Sequence, residues 1–294
     1  MLQHHTSSPT SPTRVVVLGA RGFLGSHLTA HLTAAKTPCL AIGSDILDLT
    51  APEAADHLAA LLAPDDALVV LSAITPDKGR DIDTMMRNLA MARNVCSALT
   101  KRPCAQVIYI SSDAVYPFTA GLVNEDSPAA PTDLYGMMHR AREIMFESTV
   151  KAPLAIVRPT LVYGADDSHN SYGPNRFRRQ AAKEGKISLG GEGEETRDHI
   201  HVDDAVRMIE LCLRHRSSGY LNLASGRSIS FLALAKLITK LFDKPVEIAL
   251  APRTSPITHR SFDITACRKA FPTFTFTSLE EGLATTHREM IALT

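Results

Sequence analysis

The feature that most constrains the fold is an apolar strand that runs directly into a glycine-rich turn and a helical pattern. Residues 14–18 read RVVVL, GARGFLG follows, and the helical pattern of residues 22–35 begins within this turn. Gly19, Gly22 and Gly25 permit a tight turn and a close approach of the backbone to a bound group. Free amides at the start of the helix can receive negative charge. After a first strand, this pattern favours binding of a dinucleotide over a tight turn with incidental glycines.

Apolar, β-branched runs alternate with longer helical patterns through the first half of the chain. The apolar runs are 38–43, 67–73, 106–112 and 154–164, and the helical patterns between them include 81–99 and 132–145. Continuous apolar strands separated by helices indicate a parallel sheet that is covered on both faces. The predicted fold class is α/β, a Rossmann-type doubly wound parallel sheet.

The character of the sequence changes near residue 165. Gly, Pro and charged residues become frequent there, and helical patterns return at 203–215, at 230–242 and at the C-terminus. We expect a flexible N-terminal tail at 1–12, rich in Ser, Thr and Pro. We also expect a dinucleotide-binding domain at 13–164 and a smaller, mainly substrate-binding lobe at 165–294, with some segments returning to the first domain.

Composition and charge exclude several classes of partner. Lys and Arg total 31 and so do Asp and Glu, which leaves no basic surface for nucleic acid or an anionic membrane. No apolar run approaches the roughly 20 residues of a membrane span, and the first residues lack the apolar core of a signal peptide. The five cysteines are scattered and form no C-x-x-C pair. We therefore expect a reducing, cytoplasmic location.

Five further motifs follow the glycine turn, which has the spacing G-x-x-G-x-x-G. They are ISSDAVYP (110–117), YGMMH (135–139), RPTLVYG (158–164), GGEGEETRDHIHVDD (190–204) and YLNLASG (220–226). In this order, over nearly the whole chain, they resemble the extended short-chain dehydrogenase/reductase family of NAD(P)-dependent nucleotide-sugar epimerases, dehydratases and reductases. The resemblance implies hydride transfer between a nicotinamide cofactor and a carbon atom of a nucleotide-sugar substrate.

The resemblance assigns the acid/base chemistry to three residues. Tyr135 matches the tyrosine that transfers the proton of the substrate hydroxyl group. Ser112 matches the serine that, with the tyrosine, forms a hydrogen bond to the substrate. His139 stands where the family has lysine. Residues four apart lie on one helix face. A histidine is mostly neutral at pH 7 unless an anion raises its pKa, so it is no dependable charge beside a phenol. Slower turnover or a shifted pH optimum is expected, and the alternative is a non-catalytic dinucleotide-binding sensor or scaffold.

The cofactor contacts implied by the resemblance lie in several segments. They are Gly19, Arg21, Gly22, Phe23, Leu24, Gly25, Asp48, Leu49, Ala73, Asn88, Tyr135 and His139. Asn88 could equally only cap a helix turn. The second strand ends in Gly43 and Ser44, without the acid that binds the ribose hydroxyls in NAD-selective proteins. Arg21 could pair with a 2′-phosphate or stay solvated. The expected cofactor is NADP or NAD, with NADP favoured.

The substrate contacts implied by the resemblance are Ser112, Asn175, Arg176 and Arg197. Arg197 matches an arginine that meets the substrate diphosphate, and a planar guanidinium suits a bidentate contact of this kind. Ala114 stands where the family's 4,6-dehydratases have a glutamate, so dehydration is not expected. Epimerisation at C4 and reduction of a 4-keto sugar both remain open.

Two other features receive structural interpretations. The cluster of His199, His201, Asp203 and Asp204 is interpreted as the start of a helix with Asp203 as its cap, rather than as a metal site. Two long amphipathic helices are expected at 82–100 and 135–150. In the family these helices pair across a dimer, so the resemblance implies a homodimer.

Overall fold

The computed structural model describes residues 2–119, 121–167, 173–254 and 256–292. Its strands are β1 (Arg14–Leu18), β2 (Cys39–Ile42), β3 (Asp66–Val70), β4 (Gln106–Ile110), β5 (Leu122–Val123), β6 (Leu154–Pro159), β7 (Leu161–Tyr163), β8 (Lys186–Gly190), β9 (Thr196–His201), β10 (Gly219–Leu223), β11 (Ser228–Ser230), β12 (Glu247–Ala251) and β13 (Ser261–Phe262). Its helices are α1 (Phe23–Ala34), α2 (Ala54–Leu61), α3 (Ile82–Lys101), α4 (Leu134–Thr149), α5 (Pro174–Glu184), α6 (Val202–Arg214), α7 (Phe231–Thr239), α8 (Thr265–Ala270) and α9 (Leu279–Ala292).

The largest sheet has the strand order β10-β6-β4-β3-β1-β2, and each neighbouring pair is parallel. Successive residues of β1 face opposite layers: Val15 and Val17 pack with α1 and α6, whereas Val16 and Leu18 pack with α2 and α3. Both faces of the sheet are buried, and this explains why its strands are almost wholly apolar. The predicted doubly wound Rossmann-type fold is confirmed.

The apolar run at 154–164 forms two strands instead of the single strand that its composition predicts. β6 belongs to the large sheet, whereas β7 belongs to a three-stranded sheet with the order β11-β9-β7. Pro159 has no N–H to continue a ladder of hydrogen bonds, so the strand ends there. Thr160 holds the crossing, since its N–H donates to Leu223 O at 3.1 Å and its hydroxyl donates to Asp198 O at 3.1 Å. The chain thus leaves the large sheet at its carboxyl edge.

The part of the chain beyond residue 165 contributes both to the large sheet and to a second, separate apolar core. β8 pairs with β12, and a separate apolar core joins these strands to α5 and α7. α6 and β10 instead pack with the large sheet, as the sequence predicts for some segments beyond residue 165. The division into domains at 164 stays a prediction. No helix among the described residues combines the length and the apolar character that crossing a membrane requires.

Part of the N-terminal segment, which its composition predicts to be a flexible tail, contacts the domain. Gln3 exchanges backbone hydrogen bonds with Ser218 at 2.8 Å in both directions. The ring of His4 stacks on His215 at 4.4 Å between centroids, and its Nδ1 lies 2.9 Å from Ser217 Oγ. These contacts offset the conformational entropy that the segment loses when it is ordered. A Ser- and Pro-rich segment buries little apolar surface that could do the same. How mobile the segment is remains a prediction.

Candidate active site

A cavity of about 910 Å³ opens at the carboxyl ends of the central strands, which is where ligands bind in doubly wound sheets. Ten of the predicted site residues line it: Gly22, Phe23, Leu24, Gly25, Ala73, Asn88, Ser112, Tyr135, His139 and Arg197. They come from the glycine turn, the loop after β3, the end of β4, the start of α4, and β9. The structure therefore brings most of the predicted site together around one space.

The glycine turn is packed too tightly for side chains. Gly19 has a φ of +85°, and a Cβ there would lie 2.8 Å from the amide nitrogen of Ser72. A Cβ on Gly25 would lie 2.1 Å from the carbonyl oxygen of Gly19. Within the described residues no side chain caps α1 at Gly22, so the first amides of the helix remain for an anion. These features fit the diphosphate of a dinucleotide.

Local packing brings Tyr135 and Ser112 to the same end of the cavity. Asp133 caps α4, since its Oδ1 accepts from the N–H of Gly136 at 2.8 Å. A Cβ on Gly136 would lie 2.2 Å from Ala114 O, so glycine lets the helix rest directly on the turn that follows β4. Ser112 begins this turn, and its hydroxyl oxygen accepts from the N–H of Ala114 at 3.1 Å.

His139 is a buried, neutral imidazole. The side chain is 2% exposed, and its ring meets Tyr135 edge-on with centroids 4.7 Å apart. Its Nδ1 lies 2.7 Å from Tyr109 Oη, while its Nε2 has no hydrogen-bond partner in the described part of the chain. Burial, with a smaller effect of the Arg142 charge, lowers the pKa of His139 well below its usual value. His139 therefore supplies no positive charge beside Tyr135 at pH 7.

A fixed cation lies one turn further along α4. Arg142 is 1% exposed, and its Nη2 donates to Ser72 O at 2.7 Å while its Nη1 donates to Asn88 Oδ1 at 3.5 Å. Asn88 in turn accepts from the N–H of Ile74 at 2.9 Å and donates to Ile74 O at 3.2 Å. Asn88 thus fixes the loop after β3 along the cavity and is more than a helix cap.

The opposite side of α4 is anchored by a buried ion pair. Glu143 and Arg158 are 0% and 3% exposed, and the guanidinium donates twice to the carboxylate at 2.8 Å. The Ser111 hydroxyl also donates to Glu143 at 2.7 Å. Because Ser111 precedes Ser112, this network fixes α4 relative to the end of β4. The distance between the two predicted catalytic hydroxyls depends on it.

Two arginines flank the aromatic side chain of Phe118, and one of them, Arg197, lines the cavity with it. Phe118 is 41% exposed and lies 5.0 Å from the guanidinium carbon of Arg197 and 4.6 Å from that of Arg260. Arg197 also donates to Thr258 O at 2.8 Å. Burial raises the pKa of the nearby Asp113, against the effect of the same two arginines. The aromatic face of Phe118 and the guanidinium of Arg197, both in the cavity lining, suit an anionic group attached to a ring.

Sequence reasoning missed four residues of this site. Phe118 contacts Arg197 and Arg260. Tyr109 forms a hydrogen bond with His139, and the charge of Arg142 acts on the same imidazole. Arg142 carried a usable signal, because it lies three residues after His139 and seven after Tyr135, on the same helix face. The other three become neighbours only through the fold.

Several predicted cofactor residues lie outside the cavity lining. Arg21 is exposed and forms an ion pair with Asp45, at 2.6 Å between Nη2 and Oδ2. Asp48 accepts from the N–H of Thr50 at 2.9 Å, and hydrogen bonds from Thr50 lower the pKa of Asp48. Leu49 is buried in the core between the sheet and α3. The contacts of Asp48 and Leu49 with an adenine stay predictions.

Two predicted substrate residues also lie apart from the cavity wall. Asn175 is 2% exposed and donates from Nδ2 to Gly164 O at 2.8 Å and to Asp167 Oδ2 at 2.9 Å. Arg176 is half-buried in the first turn of α5. The geometry gives Asn175 a structural role, and the contacts of both residues with substrate stay predictions.

The histidine cluster near residue 200 begins a helix, but the capping residue differs from the predicted Asp203. His201 caps α6, with its Nδ1 accepting from the N–H of Asp203 at 3.3 Å. A histidine at this position leaves Asp203 in the first turn, where a carboxylate complements the helix dipole. In the ranges that the structure describes, no group of three or more His, Cys, Asp or Glu side chains is arranged to hold a metal ion.

Comparison with known proteins identifies the family of this chain. Residues 15–224 match the model of the NAD dependent epimerase/dehydratase family. This is well over half of the chain, which therefore belongs to that family. An N-acetyl-alpha-D-glucosaminyl-diphospho-ditrans,octacis-undecaprenol 4-epimerase of Escherichia coli O157:H7 is 29% identical over 221 residues, which span 70% of this chain and 65% of that protein.

A second relative and a solved structure match over a larger share of their length. A dTDP-4-dehydro-6-deoxy-D-allose reductase of Streptomyces bikiniensis is 26% identical over 287 residues, covering 81% of this chain and 84% of the relative. RMD from Pseudomonas aeruginosa, solved with NADPH, has a TM-score of 0.84 at 23% identity and covers 96% of this chain and 100% of its own. That structural likeness supports the fold.

Proposed function

We propose that this protein carries out NAD(P)-dependent redox chemistry at C4 of a nucleotide-diphosphate sugar, and that the reaction is reduction of a 4-keto group. The observation that carries the direction is the neutral, buried His139 beside Tyr135. Because His139 is neutral, it gives a phenolate at Tyr135 none of the charge stabilisation that a lysine at this position would supply. A protonated tyrosine is the form that a reduction requires. An epimerisation must first remove a hydroxyl proton and would need the phenolate.

The bound nicotinamide would supply the hydride that adds to C4. Tyr135 would give its phenolic proton to the oxygen on C4, and this proton would then be replaced from solvent. Ser112 would hold the same oxygen by a hydrogen bond, since it lies with Tyr135 at one end of the cavity. Ala114 in the turn between them provides no carboxyl group, and this argues against dehydration. The named reactions of the relatives, a 4-epimerisation and a reduction, are of this chemical class.

The proposal is tested by two parallel assays with a panel of nucleotide sugars. In the first, nucleotide 4-keto sugars are mixed with reduced cofactor, and we expect stoichiometric loss of the reduced nicotinamide. In the second, 4-hydroxy nucleotide sugars are supplied with catalytic oxidised cofactor. Interconversion of C4 epimers without net consumption of cofactor would establish the epimerase instead. Tight dinucleotide binding without either reaction would support the non-catalytic sensor.

The Arg21–Asp45 ion pair leads us to propose a specific basis for cofactor choice. Both side chains are exposed, at 72% and 42%, and the stem of Arg21 lies over Gly43 at the end of β2. A 2′-phosphate would compete with Asp45 for the guanidinium, whereas the free ribose of NAD would not. This supports NADP as the preferred cofactor. Asp45 would reduce the preference, because its carboxylate competes with the 2′-phosphate for Arg21.

Asp45→Asn is expected to strengthen NADP binding by up to about fivefold, because an exposed ion pair is worth up to about 1 kcal/mol. Arg21→Ala should weaken NADP binding and leave NAD binding nearly unchanged. Titration calorimetry with both dinucleotides measures these changes. Lys151→Ala, at an exposed lysine outside the residues that line the cavity, is the control. Equal effects of Arg21→Ala on NAD and NADP would show that no 2′-phosphate contact exists.

Arg197→Ala is expected to weaken binding of the nucleotide sugar by about 2 kcal/mol, the order expected for lost charge-assisted hydrogen bonds. Cofactor affinity should hardly change, because Arg197 contacts Phe118 and Thr258, whereas the proposed diphosphate contacts of the cofactor lie in the glycine turn. Calorimetry with each ligand separately gives both values. Arg227→Ala removes an exposed arginine that pairs with Glu280 and serves as the control. A variant that loses cofactor but keeps nucleotide sugar would contradict the assignment.

We also propose a cytoplasmic homodimer that assembles through α3 and α4. These packed helices expose four large apolar side chains, at fractions of 48% to 66%: Ile82, Met86, Met137 and Ile144. Burying such a surface would favour association. The thiols of Cys96, Cys104, Cys212 and Cys267 are buried and free, which agrees with a reducing compartment. Sedimentation velocity should give the mass of a dimer, and a monomer at micromolar concentration would contradict this proposal.

A further inference from the structure

Tyr109 is a buried residue of β4 that the proposed chemistry does not use. It is 1% exposed, and its ring packs on Phe146 of α4 with centroids 4.8 Å apart. The guanidinium of Arg142 lies 5.1 Å from the centre of the same ring. A phenylalanine would fill this apolar position equally well, so packing does not explain the hydroxyl. A buried phenol needs a hydrogen-bond partner, and here the partner is His139.

The hydrogen bond between Tyr109 and His139 joins two groups that could each donate. The distance from Oη to Nδ1 is 2.7 Å, which is in the usual range for a hydrogen bond from a hydroxyl group. A phenol is a stronger acid than the N–H of a neutral imidazole and is therefore the stronger donor, and the free nitrogen of a neutral imidazole is the stronger acceptor. The O–H of Tyr109 therefore points to Nδ1. A neutral imidazole carries one proton, which must then lie on Nε2.

The Nε2 atom is the remaining polar group of His139. It is buried and has no hydrogen-bond partner among the described residues, and His139 lines the cavity beside Tyr135 and Asn88. A buried donor without a partner is costly. A ligand hydroxyl in the cavity would remove that cost, and the proposed function supplies one in the ribose of the nicotinamide nucleotide.

We propose that Tyr109 is a positioning residue: it donates to Nδ1 of His139, fixes the imidazole as the Nε2–H tautomer, and so presents one N–H donor to the cofactor ribose. The tautomer follows from the structure alone, whereas its role toward the ribose rests on the proposed function. His139 thereby supplies a neutral hydrogen-bond donor in place of a charge. In histidines generally, a hydrogen bond at one ring nitrogen determines whether the other nitrogen carries the proton.

The tautomer is tested first, in protein without any ligand. Histidine labelled with ¹⁵N is introduced, and two-bond ¹H–¹⁵N correlations show which ring nitrogen carries the proton. Because the chain has 12 histidines, the His139 signals are assigned by their loss in His139→Leu. We expect the Nε2–H pattern in the wild type and a mixture of the two tautomers in Tyr109→Phe. Tyr220→Phe is the matched control, since its hydroxyl contacts Glu147 and Arg140 on the outer side of α4.

The second measurement is dinucleotide affinity in a double-mutant cycle. Tyr109→Phe should weaken cofactor binding by about threefold to tenfold, the equivalent of one hydrogen bond. In a His139→Leu background the same substitution should have no further effect, because Tyr109 acts through His139. An equal loss in both backgrounds would mean a packing role only and would overturn the positioning role.

The outcomes separate this inference from the proposed function. An Nδ1–H tautomer in the wild type, or the same Nε2–H pattern in the wild type and Tyr109→Phe, would overturn the assignment of Tyr109. If the wild type has the predicted tautomer and binds neither NAD nor NADP, the proposed function fails while the tautomer assignment stands. If both hold and the affinity cycle is additive, the tautomer is fixed by Tyr109 but has no role toward the ribose.

Discussion

Replacing Tyr135 by phenylalanine is expected to lower turnover by a factor on the order of a hundred or more. The substitution removes the only atom by which this side chain can transfer a proton, while the ring that packs against His139 at 4.7 Å is kept. Binding of cofactor and nucleotide sugar should therefore be largely unchanged. Steady-state kinetics should show a fall in kcat with little change in KM, which is the signature of an interaction made only in the transition state.

Tyr220→Phe is the control, because it removes a phenolic hydroxyl of β10 that contacts Glu147 and Arg140 of α4 and should leave kcat unchanged. If Tyr135→Phe kept more than a tenth of the wild-type turnover, a different group would be the proton donor. A comparable loss of cofactor affinity and turnover would instead give Tyr135 a binding role.

Glu143→Ala is expected to lower the free energy of unfolding by about 3–5 kcal/mol, since it leaves the buried charge of Arg158 without its partner. Two hydrogen bonds of 2.8 Å and a third from Ser111 are lost together. Because this network fixes α4 against the end of β4, turnover at temperatures where the variant is folded should fall as well. Urea denaturation followed by circular dichroism measures the free energy of unfolding.

Arg140→Ala is the matched control for this prediction. Arg140 contacts the same carboxylate at 3.0 Å but is 30% exposed, so its removal should cost less than about 1 kcal/mol. Substituting Glu143 and Arg158 together by Leu and Met should recover part of the loss, because no unpaired charge remains. A cost below 1 kcal/mol for Glu143→Ala would show that the ion pair does not hold the helix.

The sequence predicted those parts of the site that depend on local geometry. The glycine turn is one of them. A turn that joins a strand directly to a helix has few possible backbone conformations, and the spacing of its glycines indicates which one is present. The placement of Tyr135 and His139 on one face of α4 follows from helical periodicity. The doubly wound sheet likewise follows from strands that must be buried on both faces.

Other parts of the site depend on contacts between residues that are distant in sequence. Tyr109 meets His139 across 30 positions, and nothing in the local pattern of β4 distinguishes a buried phenol from a buried phenylalanine. Asp45 is predicted to lie beyond the end of its strand, but only the fold shows that it reaches Arg21. The run at 154–164 was predicted as one strand because hydrophobic periodicity does not report which sheet a strand joins.

The measurement that tests the central claim most directly is transfer of deuterium from reduced cofactor that is deuterated at both C4 positions of the nicotinamide to a nucleotide 4-keto sugar, followed by NMR of the product. We predict one deuterium at C4 of the sugar for each molecule of cofactor oxidised, with the label absent from every other carbon. The Tyr135→Phe variant, at the same protein concentration, should transfer at most about a hundredth as much in the same time. Absence of deuterium at C4 with every 4-keto sugar tested, from a wild-type protein that binds the cofactor, would contradict the proposed reaction.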